Sequence, residues 1–223
     1  MGKQVFIGLT TEGTTDIRFL ESIVLRTFHD IAFNECTQDV DILLHVVQVD
    51  KVGCNFAEYV LRAAREGLLN YGIHTLAVHT DSDRDTYEER IGNKITPALQ
   101  IIRLQSDDEC CKLLTPIIPV KMMEAWMLAD RQLLKEEIGT SKSDEDLGLC
   151  RDPESIANPK ALIEEAIRIA TEDLPKRRQR LSISDLYGII GTKIDLEKLS
   201  TLPSYIQFKE RVRETYRELK YLY

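Results

Sequence analysis

The stretch IHTLAVHTDSDRD, residues 73–85, joins a largely apolar run of eight residues to a cluster of three aspartates. A largely apolar strand at residues 73–80 is typical of the middle of a parallel sheet, which is covered on both faces. Ligands of such sheets bind outside the carboxyl ends of the strands. The aspartates of residues 81–85 directly follow such an end, so this stretch predicts both a parallel sheet and a binding site beside it.

The sequence on either side of this stretch repeats the order strand, then helix. Further strands are predicted at residues 3–10, 41–49 and 113–120. Helices are predicted from about residue 14 and over residues 55–69, 86–105 and 122–138, with a bend or restart near Pro97. Four alternations indicate βαβ units, so we predict an α/β, Rossmann-like fold with a parallel four-stranded sheet flanked by helices. The two prolines of the last strand favour an edge position.

The last third of the chain is predicted to be helical. Residues 139–152 are polar and form a predicted loop or linker. Helical patterns follow at residues 158–172, 182–190, 195–200 and 204–220. We predict an α/β domain at residues 1–138 and a helical C-terminal extension at 139–223. The extension is expected to pack on the domain, because so short a segment makes a marginal core of its own.

Composition and charge restrict the class of protein. No apolar run approaches the ~20 residues that cross a bilayer, and the first residues lack a secretion signal. Five cysteines without a CxxC pair favour a reducing compartment, so we expect a cytoplasmic protein with no membrane contact. Residues 1–150 carry 15 Lys and Arg against 25 Asp and Glu, whereas residues 151–223 carry 14 against 12. This balance neither excludes nor supports a polynucleotide partner.

Carboxylates follow two of the predicted strands. Glu12 follows the first strand, and Asp81 and Asp83 follow the third. Asp16, one turn into the first helix, and Asp85 are candidates for secondary ligands. Side chains two residues apart in an extended segment point the same way, so Asp81 and Asp83 can converge on one ion. Hard oxygen ligands of this kind suit Mg²⁺ or Mn²⁺.

Each acidic motif also has a simpler interpretation. Glu12-Gly13 could be a plain turn, and residues 81–85 could form Asx turns that cap the next helix. The same residues resemble the start of a calcium loop, but Thr86 and Gly92 stand where that loop needs Gly and Glu. The ordered combination of the two motifs is more specific than either motif alone. The four histidines are scattered, and His79 is predicted to point away from the site.

Two residues after the fourth strand are further candidates. Glu124 begins a predicted helix and could act as a catalytic carboxylate at the same edge of the sheet. Alternatively, it could be an ordinary acidic residue of the first turn, where the helix dipole stabilises a negative charge. Lys121 could stabilise charge on a phosphate, or could be an ordinary surface lysine.

A basic run is the candidate for contact with a phosphate backbone. Its members, which could equally form a solvated charged face, are Lys176, Arg177, Arg178 and Arg180.

The motifs TEGTTD at residues 11–16 and HTDSDRD at residues 79–85 resemble the TOPRIM fold of topoisomerases, bacterial primases and overcoming-lysogenization-defect nucleases. That family has Glu-Gly after its first strand and Asp-x-Asp after its third. The resemblance covers about residues 3–120 and implies a TOPRIM-like sheet. It also implies metal binding and catalysis by Glu12, Asp81 and Asp83. Thr14 departs from the lysine that primases and topoisomerases commonly have there.

The whole chain resembles a family of small stand-alone TOPRIM-like proteins of unknown function. The segments that carry this likeness are PVKMMEAWMLAD at 119–130, NPKALIEEA at 158–166 and TKIDLEKLSTLPSYIQFKERV at 192–212. Such proteins are often encoded beside an ATPase of the ABC/SMC type in phage-defence operons. The resemblance implies a magnesium-dependent nuclease with an ATPase partner.

Three functions remain open from the sequence. The first is a nuclease that hydrolyses DNA or RNA with Mg²⁺ or Mn²⁺. The second is a non-catalytic subunit that binds an ATPase and keeps the acidic pocket as a remnant. The third is phosphate chemistry on a small molecule. No GxxxxGK[ST] motif is present, so the chain itself is not a P-loop ATPase.

Overall fold

A computed structural model describes residues 3–173, 175 and 180–223. The strands of the fold are β1 Lys3–Thr10, β2 Val40–Val46, β3 Thr75–His79 and β4 Leu114–Ile117. The helices up to residue 138 are α1 Thr14–Glu35, α2 Phe56–Tyr71, α3 Tyr87–Arg90, α4 Thr96–Arg103, α5 Glu124–Met127 and α6 Arg131–Ile138. Those after it are α7 Pro159–Thr171, α8 Ile183–Lys193, α9 Leu196–Leu199 and α10 Pro203–Glu218.

The four strands form one parallel sheet in the order β2-β1-β3-β4. Leu9 pairs with Val46 on one side and with Ala77 on the other, so the ends of β1 and β3 lie next to each other. β4, with its proline at position 116, is an edge strand, as the sequence predicts. The predicted α/β, Rossmann-like fold is therefore confirmed.

Helices cover both faces of the sheet. Val5, Ile7 and Leu9 of β1 point to one face, where they share a hydrophobic cluster with α1 and the C-terminal helices. Leu76 and Val78 of β3 point to the other face, which α2 and α4 cover. Because both faces are buried, β3 carries an almost unbroken apolar sequence.

Helix α8 packs against α1 at unusually short range. Gly191 of α8 is buried, and a Cβ atom at this position would lie 2.3 Å from the carbonyl oxygen of Phe19 in α1. Glycine is therefore required here by space, since any other residue would push the two helices apart. This contact joins the C-terminal helices to the first helix of the sheet domain.

Two predicted helices are interrupted in the structure. The helix predicted at 86–105 consists of α3, a π-helical turn at Ile91–Ile95 and α4, whose first turn contains Pro97. The helix predicted at 122–138 is divided because Asp130 accepts a hydrogen bond from the backbone N–H of Leu133, 3.1 Å, and so starts α6. Trp126 of α5 is fully buried and donates to Ser204 Oγ at 2.7 Å, so its role is structural.

The C-terminal helices share the core of the sheet domain. Tyr205 and Phe208 of α10 and Ile190 of α8 belong to the same buried cluster as β1 and α1. The boundary at residue 138 stays a prediction.

All five cysteines are free thiols. In the described part of the chain, every helix is too short or too polar to cross a membrane.

Candidate functional site

The carboxyl ends of β1 and β3 form a crevice where the chain changes direction in the sheet. α1 leaves β1 toward one face, and α2 reaches β3 from the other face. Ligands of open α/β sheets bind at such a switch point. Glu12 lies two residues beyond β1 and Asp81 two residues beyond β3, and Thr80 Oγ1 donates to Glu12 Oε1 at 2.8 Å. The two acidic motifs of the sequence therefore meet across adjacent strands.

The backbone of the Glu12 loop is held from the side of β2. Lys51 Nζ donates to the carbonyl oxygen of Thr11 at 2.8 Å and also to that of Glu12. Tyr59 donates to Thr11 O at 2.9 Å. Burial lowers the pKa of Lys51, although Glu12 and Asp16 act against that shift. These contacts fix the loop while the Glu12 side chain remains exposed at the rim of a pocket of about 280 Å³.

His79 lies between two of the predicted carboxylate ligands. Its Nδ1 is 3.3 Å from Asp16 Oδ2, and its Nε2 is 3.2 Å from Asp81 Oδ1. Burial by itself lowers the pKa of His79, but the two carboxylates raise it overall to about 9. Burial likewise opposes ionisation of Asp16, yet contact with His79 brings its pKa below the ordinary value. At neutral pH His79 is therefore a buried cation that Asp16 and Asp81 share.

The aspartate loop is joined to the segment after β4 by hydrogen bonds that backbone N–H groups donate. Lys121 N–H donates to Ser82 Oγ at 2.9 Å, and Asp83 N–H donates to Lys121 O at 3.0 Å. Met123 N–H donates to Asp81 Oδ1, also at 2.9 Å. Asp83 and Lys121 both have positive φ, 54° and 63°, which non-glycine residues seldom adopt. Such strain is often found where a loop must present particular groups.

Arg90 lies beneath the aspartate loop and is only 6% exposed. Its Nη2 donates to Ser82 O at 2.6 Å and to Asp83 Oδ2 at 2.8 Å, and its Nε lies 3.5 Å from Asp85 Oδ2. Asp83 and Asp85 therefore have the same cationic partner.

Glu124 lies in a buried position just after β4. It is 7% exposed, and its Oε1 accepts a hydrogen bond of 2.5 Å from Tyr187 of α8. Burial and contact with Glu124 raise the pKa of Tyr187, so the phenol stays protonated and donates. This contact links the segment after β4 to the C-terminal helices.

Most of the chain, including the crevice, matches one known protein family. Residues 11–211 match a family described as a domain of unknown function (DUF4276). The chain belongs to this family. No curated protein and no solved structure matches the chain. The matched segment includes both halves of the crevice, from Glu12 to Tyr187.

The structure brings together part of the site that the sequence predicts for this DUF4276 chain. Glu12, Asp16 and Asp81 lie around the ends of β1 and β3, with Lys121 half-buried on the adjoining loop. Asp83 and Asp85 instead contact Arg90. In the basic run, Arg180 is exposed, whereas Lys176, Arg177 and Arg178 lie outside the described residues.

The prediction that His79 points away from the site is wrong, because its ring lies between Asp16 and Asp81. Arg90, the other cation beside the aspartates, was not among the predicted site residues. One signal for His79 was available, because His79-x-Asp81 has the same spacing of two that suggested convergence of Asp81 and Asp83. For Arg90 there was no comparable signal, since its contacts depend on how α3 folds back under the loop.

The donor set limits the metal that could be held here. Among the residues described, no group of three or more His, Cys, Asp or Glu side chains is placed to hold a metal ion. Glu12 and Asp81 are a pair, and the contacts of Asp81 with His79 and Met123 use Oδ1. Mg²⁺ is commonly held by one or two carboxylates, with waters and substrate phosphates completing its shell. The residues thus fit such an ion, but not an ion that needs a closed cage of protein ligands.

Proposed function

We propose that this DUF4276 chain is a metal-dependent nuclease that hydrolyses phosphodiester bonds of DNA or RNA with Mg²⁺ or Mn²⁺. The observation that carries the proposal is the pair of carboxylates, Glu12 and Asp81, at adjacent strand ends of the switch point. The TOPRIM-like order of the two acidic motifs supports it. The strained backbone at Asp83 and Lys121 supports a loop with a function.

Each residue of the crevice would have its own role in hydrolysis. A divalent ion at Glu12 and Asp81 would make a bound water acidic and neutralise charge on the phosphate. Glu12, which is exposed, would act as a ligand or accept the proton of the attacking water. Lys121 would stabilise negative charge on the phosphate. Glu124 stays a candidate catalytic carboxylate, with Tyr187 fixing one of its oxygens.

The proposed biological setting rests on the family resemblance alone. It comprises a nucleic-acid substrate, an ABC/SMC-type ATPase partner and a role in phage defence in the cytoplasm. The basic run that ends at Arg180 would contact the phosphate backbone.

A second function is favoured by a specific observation. Asp16 and Asp81 share His79, and Asp83 and Asp85 share Arg90, so four acidic groups already have protein cations as partners. A crevice in which two cations offset half of this negative charge can remain folded without a metal. The alternative is therefore a non-catalytic subunit that binds the ATPase through the same fold.

Cleavage assays distinguish the two functions. Labelled single- and double-stranded DNA and RNA are incubated with Mg²⁺ or Mn²⁺ and with wild type, Glu12→Gln or Asp81→Asn, in the presence and absence of the ATPase. A suitable control is Asp107→Asn, because the Asp107 side chain is 98% exposed and pairs only with Lys112 among the described contacts. Cleavage by wild type and Asp107→Asn, with at least a hundredfold loss in the other two variants, supports the nuclease. A stable ATPase complex without cleavage under any condition supports the binding subunit.

A further inference from the structure

The guanidinium of Arg90 contacts Asp83 and Asp85, two carboxylates that could otherwise serve as ligands of a second metal ion. It lies within hydrogen-bonding distance of Asp83 Oδ2, at 2.8 Å, and 3.5 Å from Asp85 Oδ2. An arginine remains charged at any pH that the protein experiences. The two aspartates therefore have a permanent cation between them, and a divalent ion on the same oxygens would be repelled by it.

Burial and backbone contacts hold Arg90 in this position. Its side chain is 7% exposed, and Nη2 also donates to the carbonyl oxygen of the buried Ser82 at 2.6 Å. Arg90 ends α3, whose first turn is capped by Thr86 through a 3.2 Å hydrogen bond from Glu89 N–H. Swinging the guanidinium out of the loop would break these contacts and remove one of the two donors to Ser82 O, which also accepts from Asp85 N–H at 2.9 Å. Arg90 is thus a fixed part of the loop.

A difference between the Asp83–Asp85 pair and the Glu12–Asp81 pair indicates where an ion can bind. Nε of Arg90 is buried and makes no hydrogen bond to any residue that the structure describes, so only an ion pair relates it to Asp85. Asp81, in contrast, faces His79 and Met123 through Oδ1 and lies next to Thr80, which donates to Glu12. Among the described contacts, Asp83 and Asp85 each face Arg90 through Oδ2, whereas Glu12 and Asp81 make no contact with it.

We propose that Arg90 takes the place of a second metal ion, so that the site binds one divalent cation at Glu12 and Asp81. Asp83 and Asp85 then hold Arg90 instead of a metal. Arg90 is a positioning residue, because its buried side chain acts through the loop of Ser82, Asp83 and Asp85 that it contacts. This inference rests on the proposed metal-dependent function and narrows it to chemistry with one ion.

Counting bound Mn²⁺ tests this assignment. Free Mn²⁺ is measured by electron paramagnetic resonance during titration of the whole chain, without nucleic acid, and far-ultraviolet circular dichroism checks the fold of every variant. The expected result is one ion per wild-type chain. In Asp81→Asn, the affinity for this ion is expected to fall at least tenfold. The double variant Asp83→Asn/Asp85→Asn is expected to bind one ion with an affinity within threefold of wild type, because asparagine still accepts from Arg90.

Variants of Arg90 complete the test. Arg90→Lys keeps the charge and is expected to bind one ion, whereas Arg90→Ala frees Asp83 and Asp85 and is expected to bind two. If Arg90→Ala does not fold, the aspartate double variant still decides the question. Two ions on wild type, or a tenfold loss of affinity in Asp83→Asn/Asp85→Asn, would overturn the assignment and leave the metal site intact. No ion on wild type would overturn the metal site itself, and the assignment with it.

Discussion

At the scale of single residues, the crevice depends on cations that the chain supplies itself. His79 lies against Asp16 and Asp81, and its neighbours hold its pKa near 9 against the effect of burial. Without such a cation, the carboxylates at the strand ends would repel each other. We therefore expect the histidine to stabilise the acidic crevice when no metal is bound.

Replacing His79 by Gln should destabilise the protein by about 2 kcal/mol, because it leaves two partly buried carboxylates without their counter-charge. Adding Asp16→Asn to that variant should recover part of the loss, since one of the repelling charges is then gone. His74→Gln is the control, because His74 is exposed and contacts only uncharged groups among the described residues. Urea unfolding in EDTA measures all three variants, and equal stability of wild type and His79→Gln would contradict this role.

The hydrogen bond from Tyr187 to Glu124 gives a second prediction at this scale. Tyr187→Phe removes the donor from a carboxylate that is 7% exposed, so we expect a loss of about 2 kcal/mol. Adding Glu124→Gln to the Tyr187→Phe variant should reduce the loss of stability, because a neutral amide costs less free energy to bury without a partner than a carboxylate does. Thermal unfolding of the single and double variants tests the coupling, and additive losses would contradict it.

At the scale of elements, the contact between α1 and α8 joins the predicted domain to its extension. Space, rather than conformation, requires glycine at position 191, since a Cβ there would meet the backbone of Phe19. The neighbouring Gly188 lies on the same helix, but its nearest contact would be Arg18 O at 4.0 Å. The two glycines therefore form a matched pair.

We expect Gly191→Ala to destabilise the protein by about 3 kcal/mol, because α8 must move away from α1 to admit the methyl group. Gly188→Ala should be neutral or stabilising by up to about 1 kcal/mol, since alanine favours a helix where there is room for it. Chemical denaturation compares the two variants. Equal effects would show that the close approach of the helices is not needed for stability.

At the scale of the whole molecule, one hydrophobic cluster runs from β1 through α1 to α8 and α10. Elements that share a core usually unfold together. We therefore expect a single transition in thermal unfolding, with the same midpoint by tryptophan fluorescence, which reports on Trp126, and by far-ultraviolet circular dichroism. Two separate midpoints would indicate that residues 139–223 unfold independently.

The fold could largely be predicted from the sequence because strand and helix signals are local. The helix predicted at 55–69 is Phe56–Tyr71, and the edge position of β4 followed from its prolines. The break before α6 was missed because the amphipathic pattern continues through Asp130 and hides its capping role. The π-helical turn at Ile91–Ile95 has no signal of comparable strength in the sequence.

The site could be predicted only in part, for a physical reason. The sheet fixes the position of residues that follow a strand, so the sequence alone could predict that Glu12 and Asp81 lie close together. The contacts around the site depend on tertiary packing, because Tyr187 lies 63 residues from Glu124 and Lys51 lies 40 residues from Thr11. The pairing of Asp83 with Arg90 depends on the positive φ of Asp83, which no local sequence pattern predicts.

The measurement that tests the central claim most directly is Mg²⁺ and Mn²⁺ binding by isothermal titration calorimetry to wild type, Glu12→Gln, Asp81→Asn and Asp107→Asn. A working site at the ends of β1 and β3 predicts saturable binding by wild type and Asp107→Asn, with at least a tenfold loss of affinity in the other two. Each titration is repeated with a short, non-hydrolysable phosphorothioate oligonucleotide, because substrate phosphate completes many magnesium shells. Equal binding by all four proteins, or no binding with and without the oligonucleotide, would contradict a metal site at these strand ends.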